Sequence, residues 1–280
     1  MVFKRIGLAI TFSPSGKALL AEAARLKKLF DAEIVLIHIG AKTPENRSRL
    51  NNMITEAGLS IDSVKLIWEA GDAARTIIRK CDDENIDLLV AGALERETGL
   101  KYYIGSVARK IMREAPCSVL IMSSPTVDPK PFKKFCVSVD YTSESETAVR
   151  IAYKMALLEN ATDFILIREF QIPGLAITVS DSGSIEDAEE NRLTWQKEEE
   201  EKLHIFVNEL NLQELEVKCV CLFGKQGWEA NKFIREINGD ILVVPAPKRR
   251  MKFLDRIFQH DLEFILKQLP NSLLIIKSGN

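Results

Sequence analysis

Residues 3–39 read FKRIGLAITFSPSGKALLAEAARLKKLFDAEIVLIHI, and this stretch decides the fold. Phe3 to Ala9 predicts a buried strand, Ser13-Pro14-Ser15-Gly16 a turn, and KALLAEAARLKKLF an amphipathic helix with apolar residues at helical spacing. Glu33 to Ile39 predicts a second buried strand. Strands that are apolar throughout meet water on neither face, which is what a parallel sheet covered by helices on both sides requires.

The alternation continues outward from that unit. A helix is predicted over Glu45–Ala57, a strand over Val64–Trp68, a helix over Ala73–Glu84 and a strand over Asp87–Ala91. A last helix from Tyr102 to Arg113 ends before Ala115-Pro116, and Cys117–Met122 forms a fifth strand. Right-handed crossovers wind such a series into a doubly wound sheet.

After Met122 the polar, proline-bearing SSPTVDPKP reads as a linker, and then the pattern restarts. FKKFCVSV at 132–139 repeats FKRIGLAI at 3–10 with an offset of 129 residues. Helix Ser143–Leu158, strand Asp163–Glu169, a long helix ending near Leu210, strand Leu215–Leu222, helix Trp228–Ile237, strand Asp240–Val244, helix Asp255–Leu269 and strand Ser272–Ile276 follow. The closing SLLIIKS echoes SVLIMSS at an offset of 154, so the second copy is 25 residues longer. Most of the growth lies between Gln171 and Glu201, as the loop IPGLAITVSDSGS and the acidic EDAEENRLTWQKEEEEKL. The acidic segment reads as a solvated helix face with Trp195, Leu203, Phe206 and Leu210 as its inner stripe. The expected fold class is therefore α/β: two tandem Rossmann-like domains, 1–124 and 132–280, joined by a linker at 125–131. Each is a five-stranded doubly wound parallel sheet with helices on both faces.

Bulk charge narrows the function. With 38 Lys and Arg against 40 Asp and Glu, a net charge of -2 argues against a broad grip on nucleic acid or an anionic membrane. Five cysteines without a C-x-x-C pair fit reduced thiols, and no apolar run suits a signal peptide or membrane span, so a cytoplasmic location is expected. His38, His204 and His260 have no partner at metal spacing, and no nucleophile elbow or Walker loop is present, so neither a catalytic nor a metal residue is assigned. Cys219 and Cys221 share one strand face as core, and Trp68, Trp195 and Trp228 read as packing residues.

Three stretches resemble the universal stress protein family: the opening residues 3–39, AGDAARTIIRKCDDENIDLLVAGA, and IGSVARKIMREAPCSVLIM. In the second copy FCVSVDYTSESETAVRIAYKMALL resembles the opening, while FILKQLPNSLLIIK keeps only the hydrophobic outline. In members that bind nucleotide, the resemblance implies ATP across the carboxyl ends of the first and fourth strands. It also implies an acidic residue after the first strand and a loop resembling G-x-x-G-x9-G-[ST] after the fourth.

The cofactor-binding candidates implied are Thr11, Gly92, Gly105 and Ser106 in the first copy and Asp140 in the second. Thr11 stands at the acidic position without a charge, and Glu95 stands where the middle glycine belongs. A carboxylate there opposes a triphosphate, unless Gly99 serves in a shifted loop. The second copy keeps Asp140 but has APKRRMKFLDRIFQHD in place of the glycine loop, with Gln259 and His260 where Gly-Ser belongs. Lys248, Arg249, Arg250 and Lys252 read as a solvated basic loop or, alternatively, as an anion site. Gly71 and Gly224 read as turn formers or ribose neighbours.

The functional expectation is a cytoplasmic stress-response regulator or adenine-nucleotide-sensing module, with ATP or AMP as the open cofactor. The two domains are expected to pair internally as a pseudo-dimer, with a further homodimer left open. The alternatives are a weak ATP-hydrolysing or nucleotide-transferring enzyme and a ligand-free protein-interaction module. A fifth strand such as SVLIM, if it lies at a sheet edge, is expected to be able to pair with another chain.

Overall fold

A computed structural model describes residues 2–95, 102–103, 105–171, 185–224, 227–246 and 271–278. In the first half the chain runs β1 (Arg5–Ala9), α1 (Pro14–Phe30), β2 (Glu33–Ile39), α2 (Pro44–Glu56), β3 (Val64–Glu69), α3 (Ala73–Asp83) and β4 (Leu88–Gly92). It continues through β5 (Leu94–Glu95), β6 (Tyr102–Tyr103), α4 (Ser106–Glu114) and β7 (Ser118–Met122). The second half runs β8 (Lys134–Ser138), α5 (Ser143–Leu158), β9 (Asp163–Phe170), α6 (Ile185–Leu210), β10 (Val217–Phe223), α7 (Glu229–Glu236), β11 (Ile241–Pro245) and β12 (Ser272–Ile276).

Helix starts follow from local side-chain chemistry. Ser13, Thr43, Asp72 and Thr142 each accept a hydrogen bond from the backbone N–H three residues on, satisfying a donor that the first turn leaves open. α4 instead begins behind Gly105, without a side-chain cap. Its start at Ser106 corrects the helix expected from Tyr102. Tyr102–Tyr103 pairs antiparallel with Leu94–Glu95, so the residues after β4 open a small hairpin.

The ten longer strands form one sheet in the order β10-β9-β8-β11-β12-β7-β4-β1-β2-β3. Pairing is parallel within each half, and the halves join where β7 and β12 run antiparallel, with Leu120 opposite Leu274. SVLIM is therefore an internal strand, and the edges are β3 and β10. The condition on which SVLIM is expected to pair with another chain is therefore not met, because its free edge is taken by the equivalent strand of the second half.

Each face of this sheet carries one apolar cluster that includes residues from both halves. Ile6, Leu8, Leu120, Phe135, Phe164 and Leu274 lie in one, and Val35, Leu89, Val119, Ile165, Leu242 and Ile275 in the other. A repeated polar device pins the first strand of each half to the fourth. The Asp87 carboxylate accepts from the N–H groups of Lys4 and Arg5 at 2.7 and 3.0 Å. The Asp240 carboxylate accepts from those of Lys133 and Lys134 at 2.6 and 2.8 Å.

In α6, Leu203 and Leu210 are buried and Phe206 packs against the core, as expected. Trp195 is instead 38% exposed, and Trp228 is 42% exposed. Among the described residues no helix is long and apolar enough to cross a membrane. The expected loop at 172–184 and helix at 255–269 lie outside the described residues.

Candidate functional site

In the first half β1 lies between β4 and β2. The chain leaves β1 toward β2 and later crosses to β4 on the other side, so the connections diverge at the carboxyl edge between β1 and β4 and leave a crevice there. Thr11 follows β1 and Gly92 ends β4, flanking that crevice beyond the Leu8–Val90 register pair. Because α4 leads from the β4 side into the parallel strand β7, its amino end at Gly105-Ser106 lies on the same edge. The fold thus brings the four first-half candidates to one edge.

Local packing explains two glycines there. A side chain at Gly92 would meet Leu19 Cδ1 of α1 at 2.9 Å. A Cβ on Gly16 would lie 2.0 Å from the Thr11 carbonyl oxygen, so the turn from β1 into α1 closes only over glycine. Gly16 was not among the sequence candidates, although its place in Ser-Pro-Ser-Gly was the available signal. Thr11 Oγ1 and Ser13 Oγ lie 2.8 Å apart, so both hydroxyls face the turn that borders the crevice.

The neighbouring edge of β1, β2 and β3 is filled by the protein's own rings. Phe12 and Trp68 each place a ring centroid 4.6 Å from that of His38. The buried His38 Nδ1 lies 3.0 Å from the Ile10 carbonyl, and Trp68 Nε1 donates to the Gly40 carbonyl at 2.9 Å. Arg49 of α2 stacks 4.9 Å over Phe12 and donates to its carbonyl at 2.8 Å. His38 therefore acts as a packed strand-end residue. Arg49, which sequence spacing does not single out, adds a cation at Phe12, the residue next to Thr11.

In the second half Asp140 follows β8 at the corresponding crevice beside β11. Asp140 Oδ1 accepts from Thr142 N–H at 3.1 Å and from Thr142 Oγ1 at 2.5 Å, while the Asp140 N–H donates to Ser145 Oγ at 3.1 Å. The carboxylate thereby shapes the turn into α5. The basic residues at 248–252, together with Gln259 and His260, lie outside the described residues, as does Gly99.

Beside β9 and β10 a cleft of about 340 Å³ opens, lined by Arg168, Phe170, Gln171, Trp195, Glu199 and Gly224 among others. Tyr141, next to Asp140, borders it with its ring 4.8 Å from the Arg168 guanidinium, and the charges of the cleft are already matched. Arg168 Nε donates to Glu199 at 2.8 Å. The buried Glu169 carboxylate accepts from Gly227 N–H at 2.8 Å and Ala230 N–H at 2.7 Å, filling the amino end of α7. Burial pushes the Glu169 carboxyl upward against those bonds. Gly71 and Gly224 both adopt positive φ, +112° and +149°, so turn geometry accounts for them.

Cys81, Cys117 and Cys136 are buried core groups, whereas Cys219 and Cys221, expected as core, are half-buried on the edge strand β10. Burial pushes Cys136 and Cys221 up to about 12, which keeps both protonated. Among the described residues no cluster of His, Cys, Asp and Glu has the arrangement to hold a metal ion.

Comparison with known proteins places this architecture. The profile of the Universal stress protein family matches residues 2–123. A functionally unknown protein from Pseudomonas aeruginosa PAO1 is similar over 99% of this chain and 93% of its own, at 18% identity and a TM-score of 0.69. A universal stress protein from Archaeoglobus fulgidus DSM 4304 is similar over 97% of this chain and 98% of its own, at 17% identity and a TM-score of 0.63. At these identities the two structures attest the fold, including its second half, and the profile attests the lineage of the first. The match to the universal stress protein family is thus carried by residues 2–123, the first half of the chain.

Proposed function

We propose that the protein is an adenine-nucleotide-sensing regulator whose first half holds the nucleotide, acting in the cytoplasm through binding and not through turnover. The observation that carries this reading is the convergence of Thr11, Gly92, Gly105 and Ser106 on the carboxyl edge at the β1–β4 switch point. A doubly wound sheet binds ligands at that place, and open N–H donors at the start of α4 suit a phosphate. The family match over residues 2–123 supports an adenine nucleotide as the ligand.

The second half is proposed to have diverged into a supporting role. Its acidic residue, Asp140, is engaged with Thr142 in the turn into α5. Domains at 1–124 and 132–280, joined at 125–131, form the internal pseudo-dimer in this reading.

Isothermal titration of ATP, ADP and AMP with magnesium, into the full chain and into a Gly105→Glu variant, tests the proposal. Binding by the parent chain that disappears in a variant of unchanged melting temperature is the expected result. No binding of any of the three at millimolar concentration would overturn it in favour of a protein-interaction module.

A further inference from the structure

The halves meet through strands that are nearly self-complementary. SVLIM of β7 and SLLII of β12 pair with Leu120 opposite Leu274, flanked by Val119–Ile275 and Ile121–Leu273. Leu120 and Leu274 are equivalent positions of the repeat, so a local two-fold axis passes between them. Backbone pairing of this kind would join the first halves of two separate chains as readily as it joins first half to second.

The contacts that break the symmetry lie between α1 and the end of α5. Arg25 Nη1 and Nη2 donate to Glu159 Oε2 and Oε1 at 2.7 and 2.8 Å. Arg25 Nε and Nη2 also donate to Glu22 Oε2 and Oε1 at 3.2 and 2.8 Å. The guanidinium carbon sits 5.4 Å from the Phe132 ring centroid. The side chains of Glu22 and Glu159 are 2% and 0% exposed, and that of Arg25 is 16% exposed.

By the 129-residue repeat, Glu159 stands where Phe30 stands in the first half, Phe132 where Phe3 stands, and Lys154 where Arg25 stands. Phe3 packs edge-on against Phe30 at 5.4 Å, while Phe132 is covered by Arg25 from the other half. The arrangement is one-sided, since the mate of the Arg25–Glu159 contact would set the exposed Lys154 against the buried Phe30. Lys277 repeats the asymmetry: its Nζ donates to the Ala115 carbonyl at 2.7 Å and its N–H to Ser118 Oγ at 3.1 Å, whereas Ser123 occupies the equivalent position.

We propose that the Arg25–Glu159 pair selects the partner of the first half, admitting the second half and rejecting another first half. Two first halves face to face would set each Arg25 against Phe30 and leave the buried Glu22–Arg25 cluster without its second carboxylate. Discrimination by a charge left unmatched at an interface is how closely similar partners are told apart. The adhesive element is the strand pair, and the selecting element is the ion pair beside it.

A charge exchange in the full chain tests this. Arg25→Glu and Glu159→Arg are made singly and together, one single variant carrying an affinity tag, and are mixed after mild unfolding and refolding. Each single variant has mismatched halves, whereas a two-chain species can match both: the first half of each variant then meets a complementary second half. The expected results are capture of one variant by the other at twice the wild-type mass, no capture of wild type, and wild-type mass for the double variant.

Wild-type mass for both single variants, with no joint species on mixing, would overturn the proposal, as would equal capture of wild type. Should a single variant be insoluble alone, co-expression gives the same reading. Mutual rescue supports the selection, and insolubility that persists in co-expression and in the double variant overturns it.

Discussion

Arg168 holds in the second half the place that His38 holds in the first. His38 stands on β2 opposite Trp68 of β3, and Arg168 stands on β9 opposite Cys221 of β10. The residue beneath each also corresponds: Phe12 lies 4.6 Å from His38 and Tyr141 lies 4.8 Å from the Arg168 guanidinium. One backbone frame thus carries a closed aromatic cluster in the first half. In the second it carries a cation bound to Glu199, beside a cleft that no Trp68 fills.

Trp68→Ala is expected to cost about 2 kcal/mol, since it strips a half-buried wall from both His38 and Phe12. Cys221→Ala removes one sulfur from a half-buried position and should cost less than about 1 kcal/mol. Urea denaturation monitored by far-UV circular dichroism orders the two. Equal losses would contradict the closed cluster.

The Glu199 carboxyl is buried, but hydrogen bonds from Arg168 and Lys202 outweigh that burial and hold it below its ordinary value of 4.5. A carboxyl lowered in the folded state contributes stability in full above 4.5, lost as pH falls through the lower folded value. Glu159 and Glu169, raised by burial, carry the opposite slope, so the informative quantity is the difference between wild type and Glu199→Gln. Denaturation midpoints are expected to differ by a constant amount above that pH and to converge below it. A gap that widens as pH falls would refute the assignment.

Asp87→Ala and Asp240→Ala each leave two strand-start N–H groups without their acceptor, for roughly 1–2 kcal/mol apiece. The two sites share no partner, so the double variant should lose the sum in chemical denaturation. A negligible loss at either site would show that solvent replaces the carboxylate.

Gly16→Ala sets a methyl against a backbone carbonyl, not against a movable side chain, so the Thr11 turn must open. A cost of about 1–3 kcal/mol is expected, with nucleotide affinity falling at least tenfold because Thr11 borders the proposed crevice. Unchanged affinity in a folded variant would place the ligand elsewhere.

Much of this was legible in the sequence because buried parallel strands announce themselves as apolar runs. FKRIGLAI and FKKFCVSV became the first strand of each half, and VLIM and LLII became β7 and β12. The Asp that opens both DLLVA and DILVV stands in the sequence, but its role in pinning each first strand is seen only from the hydrogen bonds it accepts. The joining of both halves in one sheet was not legible, because hydrophobic pattern reports that a strand is buried and not which strand lies beside it. The hairpin after β4 escaped for a related reason: Tyr102-Tyr103 is compatible with helix by spacing, and only its pairing with Leu94–Glu95 makes it extended. Trp195 misled because its helical spacing fitted the inner stripe of α6, yet its side chain sits 38% exposed at the rim of the cleft.

At the candidate site, the sequence brought Thr11, Gly92, Gly105 and Ser106 together through family resemblance. The residues that shape the surroundings, Gly16, Arg49 and Trp68, act through contacts that sequence spacing does not encode.

The most direct test of the central claim is photoaffinity labelling of the full chain with an azido-adenine nucleotide, followed by peptide mapping. Labelling of peptides that contain Thr11 or span Gly92 to Ser106, suppressed by excess ATP, is the predicted result. Labelling confined to peptides of the second half, or undiminished by ATP, would contradict it.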